Sequence, residues 1–115
     1  MSVKKDKVGF SVFQSLDIRV GGVIEEVRDF PKARKPAYRL KIYFGPDIGY
    51  RQSSAQITNY RPEELVGRKV IAVVNFPPKQ VADFMSEVLV LGALTPDGVK
   101  LLSVDEGAQP GDVIG

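Results

Sequence analysis

Residues 73–92 read VVNFPPKQVADFMSEVLVLG, and this stretch is the most informative part of the sequence. A buried strand at residues 70–74 is expected to stop at Asn75 and the two prolines behind it, because proline cannot donate a hydrogen bond to a sheet. A loop with Lys79 follows, and Ser86 then opens a second buried strand. Small polar side chains and a cation therefore meet at the edge of a β-sheet, where an extended polar polymer could bind.

Alternating apolar and polar residues predict further strands on both sides of this stretch. They are expected at residues 17–30 with a bend at Gly21 and Gly22, at 38–44, at 50–57, at 88–94 and at 99–104. In the second of these strands Tyr38, Leu40, Ile42 and Phe44 share one face, and Arg39, Lys41 and Tyr43 share the other. Five or six short strands predict an all-β barrel, with a β-sandwich as the second choice.

Two short helical segments complete the predicted fold. Apolar residues between Phe10 and Leu16 favour a short N-terminal helix, and one helical turn is expected at Pro62–Val66, before Gly67. The chain of 115 residues is expected to form one domain, 1–115, with residues 1–8 as a flexible tail. It has no apolar run near the length of a membrane span and no signal-peptide pattern, which predicts a cytoplasmic protein without membrane insertion.

The absence of two residue types limits the chemistry. The sequence has no cysteine and no histidine. Disulfides, thiol nucleophiles and thiolate metal sites are thereby excluded, as are imidazole bases and zinc sites that need imidazole. Catalysis by carboxylates alone or by lysine stays open, but we expect no enzyme activity, no catalytic residue, no metal and no cofactor.

Charge is distributed unevenly, although the net charge is only +2. Residues 28–41 contain six basic side chains against one acid, Asp29, whereas residues 86–115 contain five acids against Lys100 alone. A basic stretch of this kind can hold phosphates. The alternative is a solvated face whose charges only keep the protein soluble.

Several motifs resemble the tRNA-binding domain family. They are LDIRVG at residues 16–21, PEELVG at 62–67, VVNF at 73–76 and SEVL at 86–89. That family is an OB-fold module, also found fused to methionyl-tRNA synthetases and to other synthetase subunits and accessory proteins. The resemblance implies a five-stranded Greek-key OB-fold barrel, with a short N-terminal helix and one helical turn, that binds tRNA by shape and charge.

Within the family, three further motifs are most similar to the CsaA-type subgroup, to which a chaperone role in protein export is ascribed. They are FPKARKPA at residues 30–37, QSSAQIT at 52–58 and NFPP at 75–78. The resemblance implies a homodimer as well. Phe10, Val12 and Phe13 before the barrel and Val113-Ile114 after it are apolar end segments that could pack against a second copy.

The predicted RNA contacts combine cations with small polar side chains. They are Lys32, Arg34, Lys35, Arg39, Lys41, Arg51, Gln52, Ser53, Asn75, Lys79 and Ser86. Arg34, Lys35, Arg39, Lys41 and Arg51 would hold phosphates, and Asn75, Lys79 and Ser86 would fix the register of the RNA. Asn75 could instead simply end a strand, and Ser86 could be a cap.

Aromatic and proline side chains suggest an alternative ligand. Phe30, Phe76, Pro77 and Phe84 lie in predicted loops and could seat an extended peptide. The partners would then be unfolded or precursor polypeptides and the export machinery. The same side chains could merely plug the ends of a small barrel. A third possibility is a monomeric accessory domain that docks on a synthetase.

Overall fold

Ten β-strands and two short helices make up the regular structure of residues 3–115, the part of the chain that the computed structural model describes, apart from the side chain of Val23. The elements are α1 (Phe10–Gln14), β1 (Ile18–Gly21), β2 (Val23–Asp29), β3 (Tyr38–Tyr43), β4 (Tyr50–Ala55), α2 (Pro62–Leu65), β5 (Val70–Val73), β6 (Lys79–Val81), β7 (Phe84–Ser86), β8 (Leu89–Val90), β9 (Gly92–Thr95) and β10 (Gly98–Leu101). Of the predicted tail, residues 1 and 2 lie outside the described part, and residues 3–8 form neither helix nor strand.

The strands form four antiparallel sheets. Two sheets have three strands, in the orders β1-β5-β8 and β2-β3-β4, and two are hairpins, β6-β7 and β9-β10. The prediction of a mostly β fold is confirmed. The number of strands exceeds the predicted five, however, and the sheets of residues 3–115 are not closed into a barrel.

The predicted long strands are divided because the chain changes partner within them. Residues 17–30 pass from one three-stranded sheet to the other at Gly21 and Gly22. A Cβ atom on Gly21 would lie 2.7 Å from Cγ2 of Val70, and one on Gly22 would overlap the ring of Pro110. Residues 88–94 divide at Leu91, whose N–H donates to the carbonyl of Ile71 (2.8 Å), while its own carbonyl accepts from Leu102 (3.4 Å).

Strand β3 has the alternating faces that its sequence predicts. Tyr38, Leu40 and Ile42 are buried, whereas Arg39 and Tyr43 are half-buried and Lys41 is exposed. Because β3 lies between β2 and β4, its outward side chains stand at the centre of the solvent-facing side of the sheet β2-β3-β4.

Strand β5 separates two apolar clusters and is buried along its whole length. Val70 and Ala72 pack into the main core with side chains from β2, β3 and α2, and Ile71 and Val73 pack into a second cluster with Ile18 and Val20 of β1. This explains the continuous apolar run in its sequence, because a strand buried on both faces shows no alternation.

The C-terminal residues cover the free edge of β1. The N–H of Val20 donates to the carbonyl of Asp112 (2.9 Å), and the N–H of Ile114 donates to the carbonyl of Ile18 (2.8 Å). Arg19 adds a side-chain hydrogen bond to the carbonyl of Gly111 (3.0 Å). The edge of this sheet is therefore not open for pairing with another strand.

Both predicted helical segments are present. In α2, Pro62 is the first helical residue, the N–H of Arg61 donates to Oε1 of Glu64 (2.8 Å), and Leu65 is fully buried. Helix α1 buries none of its residues. Neither helix of the described chain has the length and apolarity to cross a membrane.

The predicted loop around Lys79 and Gln80 is in fact the hairpin β6-β7. Its turn places Ala82 at φ +53°, a left-handed conformation that glycine or asparagine usually occupies. The sequence Val81-Ala82-Asp83-Phe84 contains neither residue type, and for this reason turn chemistry does not reveal the hairpin.

Candidate nucleic-acid interface

The solvent-facing side of the sheet β2-β3-β4 carries a basic surface. The strand register aligns Arg28 with Arg39 and then Ser54, and aligns Glu26 with Lys41 and then Gln52. Tyr43 and Tyr50 form the next outward pair. We call this surface the basic face and define it by Arg28, Arg39, Lys41, Tyr43 and Tyr50.

A cavity of about 470 Å³ lies on the basic face. Its lining includes four cations, namely Arg28, Arg39, Lys41 and Arg51. Leu40, Tyr50, Gln52, Phe84 and two acids complete the lining. Of the acids, Glu26 is paired with Arg28 (Nε to Oε2, 3.1 Å), and Oε1 of Glu87 accepts from the N–H of Gln52 (2.9 Å). Because four cations face only two acids, the cavity carries an excess of positive charge and favours an anion.

Aromatic rings support the cations of the basic face. The Arg39 guanidinium lies 5.4 Å from the ring centroid of Phe30, and the Lys41 ammonium lies 4.7 Å from that of Tyr50. The ring of Tyr50 is itself 5.0 Å from the ring of Tyr43. Cation–π contacts orient exposed cations while leaving their charge available to a ligand.

The basic loop, residues 30–36, adjoins the basic face. Arg34 and Lys35 are exposed, and Lys32 pairs with Asp83 at the β6-β7 turn (Nζ to Oδ2, 2.9 Å). This hydrogen bond from Lys32 holds the pKa of the Asp83 carboxyl below its usual range. The charged form of Asp83 is therefore favoured, and the pairing that it supports is lost only as the pH falls through that lowered pKa.

The hairpin β6-β7 is attached to the basic face along β4. The N–H of Ser54 donates to Oγ of Ser86 (3.0 Å), Nε2 of Gln52 donates to the carbonyl of Met85 (2.8 Å), and the N–H of Glu87 donates to the carbonyl of Gln52 (2.8 Å). This places the hairpin between the cavity and a much larger groove.

The groove has a volume of about 1660 Å³ and two kinds of lining. Four cations contribute to it, namely Lys32, Arg34, Lys35 and Lys79. Apolar side chains contribute as well, among them Phe76, Leu89 and Leu94, of which Leu94 is 88% exposed. The groove can therefore offer charge and apolar surface to the same extended ligand.

Most of the predicted site residues lie around these two depressions. Arg39, Lys41, Arg51, Gln52 and Phe84 line the cavity, and Lys32, Arg34, Lys35, Phe76, Pro77, Lys79 and Ser86 line the groove. The structure thus brings together residues from the basic loop, β3, β4 and the hairpin β6-β7, which are far apart in the sequence.

Three predicted contacts are placed differently. Ser53 has no exposed surface, because it pairs with the inward-facing Leu40. Its hydroxyl donates to the carbonyl of Val88 (3.0 Å). Phe30 is buried against Phe84, with ring centroids 5.5 Å apart, so it offers no open surface to a peptide. Asn75 lines neither depression.

The side chain of Asn75 connects β5 to the segment between α1 and β1. Its Oδ1 accepts from the N–H of Asp17 (2.8 Å), and its Nδ2 donates to the carbonyl of Ser15 (2.8 Å). Asn75 therefore has a structural role, because its side chain holds the end of β5 against the segment before β1.

The predicted site residues did not include Arg28 or Tyr50. Tyr50 could have been found from the hairpin at residues 45–49, because the turn pairs it with the outward Tyr43. Arg28 could not have been found in this way. A register shift between Ile24 and Glu26 reverses which residues of β2 face outward, and the sequence of β2 gives no sign of this shift. No cluster of three acidic side chains suited to a metal ion occurs within residues 3–115.

Comparison with known proteins shows a match to one protein family. The family model described as "Putative tRNA binding domain" matches residues 18–113. Methionine–tRNA ligase of Neisseria gonorrhoeae is 43% identical over 114 residues, which cover 96% of this chain but only 16% of that protein. The chain thus spans about a sixth of the length of this curated relative.

Two solved structures are similar over nearly the whole chain. The CsaA chaperone protein of Picrophilus torridus is 61% identical with a TM-score of 0.90, and the match covers 95% of this chain and 100% of that one. The chaperone CsaA of Bacillus anthracis is 47% identical with a TM-score of 0.88, over 96% of this chain and 100% of that one.

Proposed function

We propose that this chain, which belongs to the tRNA-binding domain family, binds tRNA by shape and charge through the basic face and the basic loop. The observation that carries the proposal is the alignment of Arg28, Arg39 and Lys41 on one sheet surface, beside the exposed Arg34 and Lys35. Lys and Arg side chains that contact phosphates supply most sequence-independent affinity for nucleic acids.

A titration of total tRNA at several salt concentrations tests this proposal. Phosphate-driven binding should weaken steeply as salt rises, with a log–log slope of roughly −0.7 to −0.9 for each phosphate neutralised. A wild-type protein that forms no complex with tRNA even at low salt would contradict the proposal.

A second candidate function is the binding of unfolded or precursor polypeptides. The apolar part of the groove favours it, because Phe76, Leu89 and Leu94 leave apolar surface exposed beside the basic loop. The two similar structures are named chaperones. An extended peptide would place its apolar side chains along this surface.

Replacing Phe76 and Leu94, which both line the groove, by serine tests the peptide proposal. The double variant should capture an unfolded client less well than wild type does. Val66→Ser, which changes an exposed apolar residue outside the groove, should leave capture unchanged. Capture by the wild type should not weaken as the salt concentration rises. Unchanged capture by the double variant would contradict a peptide site in the groove.

We infer that the fold is an open form of the five-stranded OB-fold, with β1 and β2 as one bent strand, β3, β4 and β5 as the next three, and β8 and β9 as the fifth. The hairpin β6-β7 and strand β10 are then additions to the five. We also propose a cytoplasmic protein that binds without catalysing a reaction. Its partners would be tRNA and, in the second function, clients of the export machinery.

We propose in addition that the protein is a homodimer. Helix α1 buries none of its residues and leaves Phe10 70% exposed and Val12 53% exposed, with Phe10 and Phe13 in ring contact at 5.8 Å. A second copy could cover this surface. Sedimentation equilibrium should then give twice the mass of the chain, whereas a monomer would favour docking on another protein.

Asp83→Asn is expected to strengthen tRNA binding. The Asp83 carboxylate holds the Lys32 ammonium at 2.9 Å and so competes with a phosphate for it. Freeing one cation should raise the affinity by at most about fivefold to eightfold at 0.1 M salt, since each contact contributes a factor of that order. Fluorescence anisotropy with labelled tRNA measures the change, and an equal gain in Asp97→Asn would show that only net charge matters.

Asn75→Ala is expected to lower stability without lowering tRNA affinity. The variant loses two hydrogen bonds to exposed backbone groups, which should reduce the free energy of unfolding by about 1 kcal/mol. Urea unfolding followed by circular dichroism measures the loss. Weakened tRNA binding at full stability would instead assign Asn75 a direct contact with RNA.

A further inference from the structure

Two tyrosines occupy one corner of the basic face. Tyr43 and Tyr50 are neighbours across the hairpin that joins β3 to β4, and their ring centroids are 5.0 Å apart. Tyr50 is 51% exposed, although aromatic rings of this size are usually covered. Its ring also borders the cavity of about 470 Å³.

The surroundings of Tyr50 combine a flat aromatic surface with cations. The Lys41 ammonium lies 4.7 Å from the ring centroid, and Arg39 and Arg28 line the same cavity. The cavity volume falls within the range of roughly 300–1,000 Å³ found for small-ligand sites. A single nucleotide has the matching chemistry, with an aromatic base for the ring and a phosphate for the cations.

We propose that Tyr50, supported by Tyr43, stacks one unpaired base of an RNA ligand, while Lys41 binds the phosphate next to that base. The inference rests on the proposed tRNA binding and deepens it. It makes the ligand of this corner an unpaired nucleotide, such as one in a loop or at a chain end, and not a base-paired helix, whose bases are already stacked.

The position of Lys41 is compatible with this arrangement. In the present conformation its ammonium occupies space near the ring that a base would need. The lysine side chain is exposed and flexible, and an exposed cation–π contact is weaker than the stacking of a base on an aromatic ring. An incoming base would therefore displace the ammonium, which would remain within reach of the neighbouring phosphate.

Tyr43 contributes to the site because its ring packs against the ring of Tyr50. A ring packed against its neighbour loses little conformational freedom when a base stacks on it, because its orientation is already restricted. Tyr43 is half-buried and is therefore a positioning residue, whereas Tyr50 supplies the exposed surface.

Two labelled probes separate stacking from phosphate binding. One is a short oligoadenylate, and the other is the abasic ribose-phosphate oligomer of the same length. We expect wild-type protein to bind the oligoadenylate about tenfold more tightly, because only that probe offers bases. Tyr50→Leu should abolish this preference, and Tyr50→Phe, which keeps the ring, should retain it.

The salt dependence provides a second readout. The log–log slope against salt should be the same for wild type, Tyr50→Leu and Tyr50→Phe, because none of these changes removes a phosphate contact. A reduced slope in Tyr50→Leu would mean that the tyrosine only positions Lys41, and it would overturn the stacking role.

A measurement on the wild type makes the test independent of variant folding. The ring protons of Tyr50 should shift upfield in NMR spectra when oligoadenylate is added and should not shift with the abasic probe. Absence of the shift, or a wild type with equal affinity for both probes, would overturn the stacking site while leaving tRNA binding intact. Failure of wild type to bind tRNA and both probes would instead reject the proposed function itself.

Discussion

A variant with both Arg39→Glu and Lys41→Glu is expected to bind tRNA about a hundredfold more weakly than wild type at 0.1 M salt. Each phosphate contact contributes a factor of roughly five to eight at that concentration, because affinity scales with salt to the power −0.7 to −0.9 per contact. Loss of two contacts accounts for a factor of about 25 to 60, and the new carboxylates add repulsion. Both positions lie on the central strand of the basic face.

The matched control changes the same amount of charge elsewhere. Lys5→Glu with Lys100→Glu lowers the net charge equally, and both residues are exposed and line neither depression. We expect this control to weaken binding by a few-fold at most, through the long-range field alone. Equal losses of tRNA affinity in the two double variants would place the phosphates away from β3. Thermal unfolding must show that both variants are as stable as wild type.

Ile42→Ala is expected to lower the free energy of unfolding by about 3 kcal/mol, with a Tm lower by roughly 10 °C. Ile42 has no exposed surface and packs in the main core with Phe44, Val70 and Leu65. Truncation removes three buried carbons and leaves a cavity that the surrounding strands can fill only partly. Urea unfolding followed by far-ultraviolet circular dichroism measures the loss.

The neighbouring residue supplies the control for Ile42. Lys41→Ala lies one position away on the opposite face of β3, and it should change stability by no more than about 0.5 kcal/mol. The pair therefore tests the assignment of the two faces of β3, on which the basic face depends. Comparable losses in both variants would contradict that assignment.

The sequence predicts strand β3 correctly because its alternation is regular and its ends are marked by proline and glycine. Tyr38, Leu40 and Ile42 are inside, and Arg39 and Lys41 are outside, as their spacing indicates. The helical turn at Pro62–Leu65 is equally predictable, because proline and two acids mark its beginning.

The errors arise where long-range pairing overrides local pattern. Ser53 is polar, yet it faces inward because the register pairs it with Leu40 and its hydroxyl finds the carbonyl of Val88. The hairpin β6-β7 turns at Ala82, without the glycine or asparagine that would identify it. Phe30 lies at the start of the basic loop, but Phe84 from that hairpin covers it.

The candidate site could be predicted in composition but not in arrangement. The cations of the basic loop and β3 are adjacent in sequence, and alternation alone aligns Arg39 with Lys41. The groove is assembled from residues as far apart as Lys32, Lys79 and Leu94, which only the folded chain brings together. Of its apolar part, Phe76 and Pro77 are predicted from the sequence, whereas Leu89 and Leu94 are found only in the structure.

The most direct test of the phosphate site on the basic face compares the salt dependence of tRNA binding for Lys41→Ala, Lys100→Ala and wild type. If Lys41 holds a phosphate, its removal should make the log–log slope shallower by roughly 0.7 to 0.9, whereas Lys100→Ala, on β10, should keep the wild-type slope. Equal slopes for all three proteins would show that Lys41 holds no phosphate.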